Sequence, residues 1–295
     1  MPFVDDTGVY DRVTEIIGVD ECEERAFHSK RIGEKLHINK KFPVPSQRLF
    51  SSHSGTKVHR QIEDFIRNKL GLPPLKHKIN KSEIEYEKKI FQDEKLRDAI
   101  NLKIVNASNN FMEFWKYFKP IPIASEQIVK GVIGERRIKG EIDFVGAYKR
   151  RFLDMYFGFI SDGNPEDWVI VITDWKTGKR HMKTHTYQLS AYYELASREV
   201  LPQLLSSGKY KYYKVNGIPI AMDVYFGDNN FKAVAVKVDT DHFLDLSNKF
   251  HKARRIPINA KGNINVGMKC VFCNYRDRCS LIQTSEEVIY QSAEQ

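Results

Sequence analysis

An apolar run that ends in charged residues is the feature that most constrains the fold of this chain. Residues 169–172 read Val-Ile-Val-Ile and lead, after one threonine, into Asp174, Trp175 and Lys176. Four consecutive β-branched residues predict a strand that is buried on both faces. Alternation along that strand directs Asp174 and Lys176 to one face and Trp175 to the other. Because ionisable groups are costly at the end of a buried strand, we interpret this pair as a candidate site.

A second carboxylate lies on a predicted strand upstream. The segment Gly140-Glu141-Ile142-Asp143 supplies Asp143. Two carboxylates and one amine are what a metal-dependent phosphodiester hydrolase requires: the carboxylates hold a divalent cation, and the amine lies where the attacking water loses a proton. The alternative for the Asp174–Lys176 pair is a surface ion pair at the end of a strand.

Composition narrows the class of protein. The chain has 295 residues, 41% hydrophobic and 29% charged, which is typical of a globular protein. No stretch approaches the roughly 20 apolar residues of a membrane span, and the first residues show no secretory signal, so we expect a cytoplasmic protein without membrane contact. A net charge of +9 favours a polyanionic partner, although a solvated basic surface would give the same number.

Hydrophobic periodicity predicts an α/β fold with a mixed central sheet flanked by helices. Ser54 is the expected N-cap of the first clear helix, and Asn216-Gly217 predicts a hairpin over 211–220. The predicted helices cover 54–69, 82–117, 184–199, 200–206 and 240–253, and the predicted strands cover 124–132, 138–148, 168–174, 220–226 and 231–239. We expect a mainly helical region over 1–122, a core over 123–255 and a cysteine-bearing region over 256–295, together forming one compact unit.

Two pairs of polar residues share predicted helix faces. His59 and Glu63 are four residues apart on the first helix, and Gln188 and Tyr192 have the same spacing on the helix that follows Lys176. Each pair by itself is weak, because a lone histidine is more often structural, and Gln and Tyr usually face solvent or border a core.

In their order along the chain, these motifs resemble a known family. Gly-Thr-x-x-His, Gly-x-x-Asp, Asp-x-Lys-Thr and Gln-x-x-x-Tyr are similar to the RecB-like branch of the PD-(D/E)XK nucleases. The resemblance implies that His59, Asp143 and Asp174 hold Mg²⁺ or Mn²⁺, and that Lys176 helps to orient or deprotonate the water. It also implies that Gln188 and Tyr192 lie near the active site and the DNA. Glu126 matches a weaker acidic position of the fold, or is an exposed glutamate at a strand start.

The cysteines form a second pattern. Three cluster as Cys270, Cys273 and Cys279, and Cys22 is the fourth. In an intracellular protein this spacing favours a metal site over a disulfide framework, and thiolates suit zinc or an iron–sulfur cluster. The segment resembles the C-terminal staple of iron–sulfur nucleases such as the CRISPR-adaptation nuclease, AddB and exonuclease V. That resemblance implies a structural 4Fe–4S cluster bound by all four cysteines.

Basic and aromatic residues occupy the insertion between Asp143 and Asp174. They include Lys149, Arg150, Arg151 and Phe152, followed by further aromatics up to Phe159. They could grip single-stranded DNA by phosphate contacts and base stacking, or form a longer hairpin whose aromatics pack on the sheet. The basic clusters over 179–183 and 251–255 are candidate phosphate contacts or solvated faces.

The sequence therefore predicts a metal-dependent deoxyribonuclease, most simply an exonuclease on single-stranded DNA or DNA ends. We expect a separate helicase to unwind duplex DNA, because no nucleotide-binding motif of the Gly-x-x-x-x-Gly-Lys type is present. The alternatives are a CRISPR nuclease that trims DNA for an integrase, a DNA-binding module with a weak centre, and an RNA nuclease.

Overall fold

A computed structural model describes most of the chain. The described residues are 3–5, 8–20, 46–76, 84, 87–88, 90, 92–158, 163–177, 182–206, 220–227 and 229–255. They divide into two compact units, one formed by 1–44, 130–140 and 239–295, and the other by 45–129 and 141–238. All the described candidate site residues belong to the second unit.

The described part of the chain contains both strands and helices. The strands are β1 (Phe3–Asp5), β2 (Gly8–Arg12), β3 (Ile121–Ile133), β4 (Arg136–Lys149), β5 (Trp168–Lys176), β6 (Ile220–Phe226) and β7 (Phe231–Val236). The helices are α1 (Val13–Ile17), α2 (Ser46–Lys69), α3 (Glu94–Phe118), α4 (Arg150–Phe157), α5 (Met182–Leu195), α6 (Leu201–Ser206) and α7 (Thr240–Arg255).

The sheet of the second unit is mixed. Strand β5 pairs antiparallel with the second part of β4 and parallel with β6, and β6 pairs antiparallel with β7. The parallel β5–β6 pair requires a crossover, which α5 and α6 provide. This confirms the predicted α/β class with a mixed sheet and flanking helices.

One face of this sheet is covered by α2 and α3 through an aromatic core. The apolar stripe of α3 buries Ile104, Phe111, Phe114 and Phe118 among its members. Trp175 is 2% exposed, and its ring contacts Phe111 and Phe114 of this stripe, together with Phe144 and Phe226, at centroid distances of 5.5–5.8 Å. Trp175 thus anchors the end of β5 from the face opposite the charged pair, as the strand alternation predicts.

The other face of the sheet is covered by α5. Leu189, Ala191 and Leu195 of this helix are buried, and the β5 residues that alternate with Trp175, such as Ile170 and Ile172, are equally buried. Both faces of β5 are therefore packed, which is the reason for its unbroken β-branched run.

The first unit contains the first and the last elements of the described chain, together with residues 130–140. Strands β1 and β2 pair antiparallel, and β2 pairs parallel with the opening residues of β4. Helix α7 belongs to this unit and contacts β2 through an ion pair between His251 Nε2 and Asp11 Oδ2, 2.8 Å apart. Within the described ranges, no helix combines the length and apolarity needed to cross a bilayer.

One local prediction was wrong, and a second was right in part. Ser54 is not an N-cap, because α2 begins at Ser46 and Ser54 is an interior residue that is 0% exposed. The strands on either side of the insertion pair antiparallel, as the hairpin alternative expects, but residues 150–157 form α4 between them. Tyr156 and Phe157 of α4 pack on Phe118, so these aromatics serve the core. The predicted hairpin over 211–220 lies almost entirely outside the described residues, which resume only at Ile220.

Candidate active site

The two predicted carboxylates lie side by side on neighbouring strands. The antiparallel register of β4 and β5 reaches Phe144 opposite Thr173, so the next pair in that register is Asp143 and Asp174. Asp143 Oδ2 accepts a hydrogen bond of 2.7 Å from the backbone N–H of Trp175. The pairing of the strands, and not proximity in sequence, brings these carboxylates together.

Lys176 shares the face of Asp174 and forms an ion pair with it. Lys176 Nζ contacts Asp174 Oδ2 and donates to Gln188 Oε1 at 3.4 Å. Burial works to lower the pKa of Lys176, but the carboxylates around it, chiefly Asp174, outweigh burial and raise the pKa. The side chain is therefore a buried ammonium in this state, suited to stabilising negative charge.

Helix α5 supplies the predicted glutamine and tyrosine to the same face. Gln188 Nε2 donates to Asp174 Oδ1 at 3.3 Å and to Tyr192 Oη at 2.8 Å. Burial, followed by the charge of Asp174, raises the pKa of Tyr192, and its hydroxyl also hydrogen bonds the backbone of Glu141. Gln188 and Tyr192 thus tie the helix to both carboxylate-bearing strands.

His59 reaches the carboxylates from α2. Its Nδ1 lies 3.8 Å from Asp143 Oδ2. Burial lowers the pKa of His59, and this outweighs the opposing charge of Asp174. The imidazole is therefore neutral near pH 7 and has a lone pair available for a metal.

A glycine allows α2 to approach β5 closely. A Cβ atom at Gly55 would lie only 2.8 Å from Thr177 Oγ1, just beyond the end of β5. This contact gives a physical reason for the Gly in the Gly-Thr-x-x-His motif and for the Thr after Lys176. The absence of a side chain at Gly55 lets the helix turn that carries His59 pack near the strand end.

Glu126 is less exposed than a glutamate at the start of a strand would be. It is half-buried within β3 and adopts a left-handed φ of 49°, which is uncommon for a residue other than glycine. Burial, followed by the charges of Glu141 and Glu63, raises the pKa of Glu126 to about 8. Glu126 also lines an open pocket of about 360 Å³, together with His59, Arg60, Glu63, Gly55 and Thr56.

The chemistry of these side chains fits a divalent cation. Carboxylate oxygens and a neutral imidazole are suitable ligands for Mg²⁺ or Mn²⁺. Burial, then the charges of Asp174 and Glu126, raise the pKa of Asp143 well above its ordinary value, so a positive ion here would relieve repulsion. Among the described residues, no three His, Cys, Asp or Glu side chains already converge as a finished ligand set. The residues predicted to hold the ion are His59, Asp143 and Asp174.

Sequence reasoning missed one carboxylate of this face. Asp223 of β6 is the register partner of Asp174 and is 2% exposed. The signal was present, because Ala221-Met222-Asp223-Val224 places one carboxylate inside an apolar strand, the same pattern that draws attention to Asp174.

Of the remaining predicted residues, which are the basic clusters and the cysteines, the structure describes only some. Lys149 and Arg151 both pair with Glu166, which uses their charges within the molecule. In the basic cluster 179–183, residues 179–181 lie outside the described residues, as does the side chain of Lys183. Cys22, Cys270, Cys273 and Cys279 also lie outside the described residues, so the cysteine site remains a prediction.

Comparison with known proteins gives a family match for part of the chain. Residues 159–280 match the family model described as "PD-(D/E)XK nuclease superfamily", whereas no curated protein matches the chain. Among solved structures, SSO0001 is 13% identical, with 90% of this chain and 95% of that chain covered and a TM-score of 0.32. A "Putative exonuclease" from Eubacterium rectale is 9% identical, with 85% and 83% covered and a TM-score of 0.41. Residues 159–280 are thus similar to a superfamily whose nucleases hydrolyse phosphodiester bonds.

Proposed function

We propose that this protein is a metal-dependent deoxyribonuclease whose active site comprises Asp143, Asp174 and Lys176. The observation that carries the proposal is the convergence of these three residues where the middle of β4 meets the end of β5, and the match of residues 159–280 to a nuclease superfamily supports it. His59, Gln188 and Tyr192 complete the site, and the motifs that contain them support the RecB-like branch as the more specific assignment.

Each side chain has a role that follows from its surroundings. When bound, a divalent cation supplies charge stabilisation at the phosphate and a water of lowered pKa. Asp143 and Asp174 would hold it, with neutral His59 as a further ligand. Lys176, an ammonium in this site, stabilises negative charge that develops on the phosphate. Gln188 orients Asp174 through its amide, and Tyr192 orients Gln188 through its hydroxyl.

The substrate we propose is single-stranded DNA or a DNA end, cleaved exonucleolytically during recombination, repair or replication. The net charge of +9 supports a nucleic acid, and a helicase partner would supply unwound strands. Trimming of DNA for a CRISPR integrase is the same chemistry with a different partner. An RNA substrate and a DNA-binding role without cleavage are the competing functions that the experiment below distinguishes.

Replacement of Lys176 tests the proposal. End-labelled single-stranded DNA, double-stranded DNA and RNA are incubated with Mg²⁺, with Mn²⁺ and with chelator. We expect metal-dependent DNA cleavage by the wild-type protein and its loss in Lys176→Ala, with DNA binding retained. Lys116→Ala, an exposed lysine of α3, is the matched control and should cleave normally. Cleavage by Lys176→Ala at the wild-type rate would contradict the assignment, and cleavage of RNA alone would change the substrate.

We also propose that Cys22, Cys270, Cys273 and Cys279 bind a structural 4Fe–4S cluster, with zinc as the alternative metal. The support is the spacing of the four thiols and its resemblance to iron–sulfur nucleases. Protein purified without oxygen should contain iron and acid-labile sulfide, and Cys273→Ala should lose both and unfold more readily, because metal binding is coupled to folding. Zinc without sulfide in the purified protein would replace the cluster with a zinc site.

A further inference from the structure

A second group of polar side chains adjoins the candidate active site on β6 and α5. The parallel register of β5 and β6 places Asp223 beside Asp174, and Tyr225 beside Lys176. Alternation along β6 puts Asp223 and Tyr225 on the sheet face that carries Asp174 and Lys176. None of the sequence motifs that predict the active site includes Asp223 or Tyr225.

Hydrogen bonds fix the position of the Asp223 carboxylate. Tyr225 Oη donates to Asp223 Oδ2 at 3.3 Å. His185 of α5 lies with Nδ1 2.7 Å from Tyr225 Oη and 3.7 Å from Asp223 Oδ2, and its ring stacks on that of Tyr225 with centroids 5.8 Å apart. A buried charge held in this way is preorganised to attract a cation from its own side of the sheet.

If Asp174 holds a metal ion, the ion competes with the Lys176 ammonium for the same carboxylate. This step rests on the proposed function. In this structure the Lys176 ammonium pairs with Asp174 Oδ2, and the two side chains are 19% and 4% exposed. A divalent cation bound to Asp174 would compete for the same oxygens and would repel the ammonium. A buried ammonium that loses its carboxylate pays a large desolvation penalty unless another anion is close.

Asp223 is the carboxylate that can take over this pairing. It lies on the same face, one strand across from Asp174. Its charge already contributes, after those of Asp174 and Asp143, to raising the pKa of Lys176. It therefore acts electrostatically on the lysine, although it lies on β6 and not on β4 or β5, which carry the two carboxylates predicted to bind the metal.

We propose that Asp223 is a positioning residue, held by Tyr225 and His185, that retains the Lys176 ammonium when Asp174 binds a divalent cation. In this arrangement the lysine remains charged and close to the scissile phosphate. The metal can then bind Asp174 while the Lys176 ammonium keeps a negative charge beside it, that of Asp223.

Mn²⁺ binding in a double-mutant cycle tests this role. Calorimetry measures the affinity of the full-length protein for Mn²⁺, in the wild type, in Asp223→Asn, in Lys176→Met and in the double variant. We expect Asp223→Asn to weaken Mn²⁺ binding about tenfold when Lys176 is present, because the ammonium then stays on Asp174 and competes with the ion. In the Lys176→Met background the same change should weaken binding less, because only the direct attraction between the Asp223 carboxylate and the ion is then lost.

A second measurement follows the lysine itself. Acylation of Lys176, quantified by mass spectrometry with Lys116 as an exposed reference, should stay slow in the wild type after Mn²⁺ is added. It should become fast in Asp223→Asn with Mn²⁺, because the displaced ammonium has lost its second carboxylate. Asp223→Glu, which keeps the charge, should partly restore both the affinity and the protection.

The outcomes separate this inference from the proposed function. Equal weakening of Mn²⁺ binding by Asp223→Asn in both backgrounds would overturn the positioning role and leave the nuclease intact. A wild-type protein that binds no Mn²⁺ would overturn the proposed function, and this inference with it. Circular dichroism checks the fold of each variant, and Asp223→Ser, which is smaller and neutral, replaces Asp223→Asn in the cycle if that variant does not fold.

Discussion

The ionisable groups of the candidate site interact electrostatically with one another. Burial, followed by the charges of Asp174 and Glu126, raises the pKa of Asp143, and Asp174 also contributes to raising the pKa of Glu126. Lys176 is paired directly with Asp174. The same repulsion that destabilises the metal-free site provides the attraction for a divalent ion. Affinity for metal and loss of stability without it therefore have one physical origin.

Asp174 should couple metal binding to stability. Mn²⁺ at a hundredfold excess over its Kd stabilises a folded protein by about 2.7 kcal/mol, so we expect a clear rise in the Tm of the wild type. Asp174→Asn should remove most of this rise and lower the cleavage rate by more than about a hundredfold, a loss already reached when groups that only support a metal ligand are removed. Thermal unfolding with and without Mn²⁺ measures the effect, with Asp98→Asn on exposed α3 as control. An equal Tm rise in Asp174→Asn would exclude it as a ligand.

Glu126 should make the metal-free protein less stable as the pH rises. Its pKa is about 8 in the folded state against an ordinary value of 4.5, so between these values the folded state keeps a proton that the unfolded state has released. Stability therefore falls as the pH rises from about 4.5 to about 8. Glu126→Gln should raise the Tm at pH 8 more than at pH 5 in chelator, with a residual slope from Asp143. A difference that is the same at both pH values would contradict this account.

At the scale of the elements, β5 connects the hydrophobic core to the site. Trp175 anchors the strand in the aromatic core below the sheet, and its backbone N–H holds the Asp143 carboxylate above it. Trp175 therefore holds β5 against the core with its ring and holds the Asp143 carboxylate of β4 close to β5 with its backbone N–H.

Trp175→Ala should destabilise the protein and disturb the site together. Loss of a large buried aromatic side chain costs about 3–5 kcal/mol, and the cavity would lie directly beneath Asp174 and Lys176. Urea unfolding should show a lower midpoint, and cleavage should fall even under conditions where the variant is folded. Trp175→Phe, which keeps an aromatic ring, should lose far less of both. Full activity in a folded Trp175→Ala would show that the core does not position the strand end.

At the scale of the whole molecule, we expect the net charge of +9 to attract nucleic acid independently of the proposed catalytic residues. Lysines and arginines that contact phosphates release counterions, so the logarithm of the DNA affinity should fall linearly with the logarithm of the salt concentration. Lys176→Ala should retain nearly the same slope as the wild type, because it removes one phosphate contact at most. Fluorescence anisotropy in chelator measures this, and an affinity independent of salt would exclude an electrostatic mode of binding.

Strand β5 and the faces of its residues could be predicted because their signals are local. The apolar run before Asp174 identified a strand, and alternation assigned Lys176 and Trp175 to opposite faces. The start of α2 at Ser46 and the helix inside the insertion were not predicted, and the aromatics of that second helix gain stability from packing on α3, which is distant in sequence.

The sequence by itself determined which residue types were present and on which side of each element they stand, because side-chain direction follows from backbone periodicity. Only the tertiary structure decided that Asp143 meets Asp174, that α2 brings His59 to the same point, and that Asp223 lies beside Asp174. These juxtapositions depend on strand register and helix packing. Both are set by burial of residues distant in sequence, which no local pattern encodes.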